Sequence, residues 1–73
     1  MRGHDSLHVM TSSDLAELSS LRAQLEDLTT RVVAVAERYD TPDSAIAADL
    51  FGAERSLVGA RRTIDRAISR LTP

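Results

Sequence analysis

The sequence predicts an all-α fold: two long helices in an antiparallel, coiled-coil-like hairpin that pairs into a dimeric four-helix bundle. Three observations predict it. Apolar residues at Leu18, Leu21, Leu25, Leu28, Val32, Val35 and Tyr39 advance in alternating steps of three and four. The same rhythm returns at Ile46, Leu50, Ala53, Leu57, Ala60, Ile64, Ala67 and Leu71. Between the two runs stands Asp40-Thr41-Pro42-Asp43, a stop-and-restart signal. Such a rhythm is the a/d heptad pattern of packed helices, because 3.5-residue spacing keeps one seam facing a neighbour.

Residues 1–11 lack any such period and read as a disordered N-terminal tail. Met10, followed by Thr-Ser-Ser-Asp, also resembles a second translation start, so residues 1–9 can be an upstream extension. The first helix is expected over 12–39. Ser13 is a suitable cap, or Asp14 with Glu17 forms a reciprocal capping box.

The turn is expected at 40–42, since proline disfavours helix in the residue before it yet fits the first turn of a new one. Thr41 or Asp40 then caps a second helix over 43–71, with Asp43 near its positive end. Each helix is about 28 residues, or about 42 Å at ~1.5 Å per residue. A connection this short makes the two helices antiparallel. It sets Val32 near Leu50, Leu25 near Leu57 and Leu18 near Ile64. Glu26 then lies near Arg55, Arg31 near Asp49 and Glu17 near Arg66.

Composition narrows the function classes. A chain of 73 residues buries a small core, and with no cysteine it has neither disulfides nor thiolate metal sites to reinforce it. Good helix packing and oligomerisation remain. A net charge of −2 is too mild to imply a nucleic-acid or membrane partner. All nine basic residues are arginine, which fits a GC-rich coding sequence as well as selection for function. The opening residues lack the apolar stretch of a signal peptide, and the longest apolar run, 32–36, is far short of the ~20 residues of a membrane span. A cytoplasmic location is the expectation.

No pattern of catalytic chemistry appears. His4 and His8 have the i, i+4 spacing of a metal pair, but that geometry needs a helix and nothing in the tail signals one. No nucleophile elbow, phosphate loop or zinc-ligand spacing is present. The reading is therefore a non-enzyme with no cofactor and no metal. Ser19 and Arg22 share the Ser–Arg step of small coiled-coil anti-sigma factors that sense a cyclic dinucleotide. Leu15, Glu26 and Thr30 stand where that pattern carries Glu, Gln and Asp, so the similarity extends to hairpin shape alone.

Two features remain after the hairpin is built. Val33, Phe51, Val58 and Ile68 widen the apolar faces beyond one seam, which suggests a partner surface anchored by Phe51. Its occupant is a second copy, giving a homo-oligomer, or another helical protein. Phe51→Asp is expected to abolish assembly. The second feature is arginine crowding at the end of the second helix. Arg61, Arg62, Arg66 and Arg70 form a stripe able to hold nucleic acid or an acidic protein, or else to complement the helix dipole. Overall acidity and the absence of interleaved aromatics argue against nucleic acid.

Gly52 and Gly59 lie in a small-residue row with Ala45, Ala48, Ser56 and Thr63. The row either admits another backbone or is tolerated surface. The functional expectation is thus a small protein–protein interaction module. The alternatives are a regulator acting through its arginines and an accessory subunit of a larger complex.

Overall fold

The computed structural model describes the backbone of residues 2–72 and the side chains of residues 11–72. It contains two helices, α1 (Arg2–Arg38) and α2 (Ala45–Leu71), packed against each other as a hairpin. The molecule is a rod of 62 × 15 × 14 Å. The register that pairs Glu26 with Arg61 sets the end of α2 level with residue 16, so the first turns of α1 run past it by about 20 Å at ~1.5 Å per residue.

The start of α1 differs from expectation. The helix begins at Arg2, so the segment 1–11 assigned to a disordered tail is helical from its second residue. No proline interrupts residues 2–14, and Ser or Asp inside a helix costs only up to ~0.7 kcal/mol. Ser13 and Asp14 therefore lie inside the helix and do not cap it. His4 and His8 sit on helical backbone, and their side chains fall outside the described residues.

The turn also moves, occupying 39–44 where 40–42 was expected. Three amides close it: Tyr39 N donates to Ala36 O, Thr41 N to Tyr39 O and Ser44 N to Thr41 O. α2 is capped by Ser44, not by Asp40 or Thr41. Ser44 has extended backbone (φ −79°, ψ 106°), and its Oγ accepts from Ala47 N at 3.1 Å. A serine able to reach an orphan amide starts the helix more effectively than the proline two residues earlier, which is left in the turn. At the other end Thr72 donates to Ile68 O through both its amide and its hydroxyl.

The helices meet on a rotated seam. On α1 the covered or half-covered positions include Thr11, Leu15, Leu18, Arg22, Leu25, Thr29, Val32 and Ala36. On α2 they include Ala47, Leu50, Glu54, Leu57, Arg61, Ile64, Ile68 and Leu71. Both series alternate threes and fours, but only the expected a positions (Leu18, Leu25, Val32; Leu50, Leu57, Ile64, Leu71) are shared with the a/d reading. Their companions are the e positions. Ala36 and Ala47, both e, are the fully covered apolar residues among those described, at 0% and 3% exposure, and they close the hairpin beside the turn.

Rotation of the seam, together with a register moved six residues along α2 from Arg55 to Arg61 opposite Glu26, explains the ion pairs. Glu26 meets Arg61 at 3.6 Å, Arg22 meets Asp65 at 3.3 Å, and Arg61 also reaches Asp65 at 3.8 Å. The expected pairs Glu26–Arg55, Arg31–Asp49 and Glu17–Arg66 are not formed, and Arg31 binds Asp27 on its own helix. Packing through e brings Arg22 and Arg61 to the joint and turns Glu17, Arg31 and Asp49 away from it. Thr29, the one hydroxyl in the middle of the α1 seam, is satisfied by donating to Leu25 O at 2.6 Å.

Candidate functional site: two faces of the hairpin

A helix that packs through a and e leaves d on one side of the joint and b on the other. An antiparallel partner is turned end for end, so the same offset on both helices falls on the same side. The hairpin consequently has two distinct broad faces.

The d face carries Leu21, Leu28 and Val35 from α1 and Ile46, Ala53, Ala60 and Ala67 from α2. Its large members are the most open apolar residues described: Leu21 38%, Leu28 44%, Val35 36% and Ile46 54% exposed, with Tyr39 at 48% beside the turn. Leu21, Leu28 and Val35 repeat every seven residues, and so do Ala53, Ala60 and Ala67. A ridge of large side chains on α1 thus runs beside a trough of small ones on α2. Glu17, Arg31, Arg38, Asp49 and Arg70 flank this face at the g positions, all exposed. Of these, only Arg31 has an ion-pair partner among the described residues.

The b face is different in kind. It carries Val33, Phe51 and Val58 together with Glu26 and Asp65, and the ion pairs of Arg22 and Arg61 lie across it. All four apolar residues singled out from the sequence as a partner surface (Val33, Phe51, Val58 and Ile68) are half-buried within the hairpin. Half-burial leaves each of them less open than the large residues of the d face. Ile68 is part of the seam, and the other three line its edge. The surplus apolar surface lies on the d face, in residues the a/d reading had placed inside the joint.

Concavities are shallow. One cleft of ≈ 270 Å³ lies on the b face between Glu26, Thr29, Thr30, Val58 and Arg61. Another of ≈ 290 Å³ lies between Thr63, Arg66, Ala67 and Arg70, and one of ≈ 410 Å³ lies along Glu54, Arg55, Val58, Gly59 and Arg62. Each is an open groove between side chains, without the enclosure that buries most of a small ligand. No group of three or more His, Cys, Asp or Glu suited to a metal occurs among the described residues.

The arginine stripe divides. Arg61 turns into the joint toward Glu26 and Asp65, whereas Arg62, Arg66 and Arg70 stay exposed. Arg66 donates to Thr63 Oγ1 at 3.4 Å and is partly tethered to its own helix. The small-residue row faces away from α1. A Cβ added to Gly59 would meet nothing within 4 Å, and one at Gly52 would meet only the Arg55 guanidinium at 3.6 Å. Within the hairpin, then, no backbone approaches these glycines closely enough to require them. No helix among the described residues is long and apolar enough to cross a membrane.

No protein-family model matches the chain, and no curated protein or solved structure is significantly similar to it.

Proposed function

We propose that this protein is a non-catalytic protein–protein interaction module that presents the d face of a helical hairpin to a helical partner. The observation that carries the reading is the seven-residue row Leu21, Leu28 and Val35, left open beside Ile46 and Tyr39. Scattered exposed leucines are ordinary on a small protein. A row that keeps heptad spacing over the half of α1 next to the turn and continues across to a second helix is the signature of a surface that packs.

The area of the chain supports the same reading. Its accessible surface is 5712 Å², whereas a compact monomer of 8.0 kDa exposes roughly 4,450 Å². The excess reflects a joint in which, among the described residues, two alanines alone are fully covered. A second layer of helices over the d face supplies the missing core. The open grooves, and the ion-paired placement of the residues that line the b-face cleft, favour binding over catalysis.

The test is solution mass and helicity for the wild type and Val35→Asp, alone and with candidate partners. Loss of association in Val35→Asp with helicity retained is the expected result. Association that survives Val35→Asp would remove the d face from the binding surface.

A further inference from the structure

We infer that the d face is closed by a second copy of this chain, in a two-fold pair that lays α1 of each copy against α2 of the other. The inference rests on the reading of the d face as a binding surface and adds its occupant and geometry. Three properties of the face are self-complementary.

The first is shape. α1 contributes the large row Leu21, Leu28 and Val35, while α2 contributes the small row Ala53, Ala60 and Ala67. When a second copy is placed face to face about an axis parallel to the helices, the ridge of each copy enters the trough of the other. Large side chains then interdigitate with small ones along both contacts, and the four helices approach at even spacing. An axis perpendicular to the helices instead stacks ridge on ridge and trough on trough, with one contact overfilled and the other too loose.

The second is charge. The register that joins Glu26 to Arg61 and Arg22 to Asp65 sets Glu17 level with Arg70, and Arg38 level with Asp49. All four flank the d face and have no ion pair among the described residues. A two-fold axis along the helices keeps levels unchanged, so Glu17 of one copy comes beside Arg70 of the other, and Arg38 beside Asp49. Each pair is an exposed contact of small energy, and the four together make the flanks of the two copies complementary.

The third is area. The shared length of the helices is about 35 Å, and two helices side by side span about 18 Å. Their product, roughly 600 Å² per copy, meets the lower end of the ~600–1,000 Å² each partner gives to a stable interface. The result is a bundle with a/d side chains at the centre, e flanks within each hairpin and g flanks between hairpins.

The absence of cysteine makes the geometry testable by cross-linking. Arg31 and Ser56 are g residues level with each other. Mixing Arg31→Cys with Ser56→Cys protein under mild oxidation should give a cross-linked heterodimer in high yield, whereas Gln24→Cys mixed with Arg31→Cys should give little. The reverse pattern would overturn this arrangement in favour of the perpendicular axis. Light scattering on the wild type from micromolar to millimolar concentration accompanies it, with dimer mass expected. A folded monomer throughout would overturn self-pairing while leaving the d face as a site for a different protein. Leu28→Asp and Ala60→Arg, which alter α1 and α2 separately at exposed positions, should each weaken the dimer at least ~100-fold with helicity kept. A dimer unaffected by either would sink the d-face reading itself.

Discussion

The two broad faces of this hairpin differ in apolar content and in how far the joint covers it. On the b face, Val33, Phe51 and Val58 are half-covered, and guanidinium–carboxylate contacts lie across the joint beside them. On the d face, Leu21, Leu28 and Val35 stand open, and the charges on their flank are mostly unpaired. The difference teaches that a partner surface is to be sought among the apolar residues that remain after the intramolecular joint has taken its share. Here the joint takes a and e, with b as its margin, and leaves d.

The contrast is broken most severely by placing a charge on each face in turn. Leu28→Asp should reduce the mass to that of a monomer and remove any concentration dependence of melting, because Leu28 touches little inside the hairpin. Phe51→Ala should do the opposite. A half-covered ring contributes less than the ~3–5 kcal/mol of a core phenylalanine, so about 1–2 kcal/mol of hairpin stability is lost. That corresponds to a fall in Tm of roughly 4–16 °C at fixed protein concentration, with mass unchanged well above the dissociation constant. Should Phe51→Ala dissociate the assembly while Leu28→Asp leaves it intact, the roles of the two faces are exchanged and the sequence-based choice of Phe51 as anchor is restored.

Much of the fold was legible beforehand, for physical reasons that can be named. Heptad steps on both sides of Asp40–Pro42 permit little besides an antiparallel hairpin, and the a positions lie in the joint as expected except Tyr39, which stands 48% exposed at the turn. The flank was not legible. An a position has d on one side and e on the other, and here e carries Arg22, Thr29, Glu54 and Arg61, while d carries leucines, valine and alanines. Hydrophobicity alone therefore assigns d to the joint. The structure uses e because Ala36 and Ala47 let the chains close tightly beside the turn, and Arg22 and Arg61 find carboxylates across it. The most apolar row is left on the outer face, whereas Val33, Phe51, Val58 and Ile68, which lie outside the a/d pattern, are half-covered by the hairpin. Helix starts were missed for a related reason. Ser13 and Asp14 are good caps only if the chain before them leaves the helix, and nothing in residues 2–12 forces it to.

A gentler test separates the glycine row from both faces. Gly59 lies in mid-helix with open space where a Cβ would project. Gly59→Ala should therefore raise stability by about 0.5–1 kcal/mol, through the helix propensity of alanine and the smaller entropy of its unfolded chain. Thermal melting reads the change directly, and the mass should stay that of the wild type. A destabilised or dissociated variant would show that another backbone does approach Gly59 in the assembly, adding a third contact surface.

The smallest effect tests what the b-face charges are for. Asp65 accepts from Arg22 at 3.3 Å and lies 3.8 Å from Arg61, so Asp65→Asn weakens both contacts without changing shape. These groups are partly open to solvent, and such pairs contribute little, so the loss should be about 1 kcal/mol or less. The loss should shrink further in molar salt, where exposed charges are screened. Hydrophobic pairing through the d face should be indifferent to the same salt or slightly strengthened by it. Parallel titrations of hairpin stability and of dimer mass with sodium chloride therefore assign charge to one face and apolar contact to the other. If dimer mass falls steeply with salt while Asp65→Asn leaves melting unchanged, the exposed Arg62, Arg66 and Arg70 become the better account of association, and its partner surface is acidic.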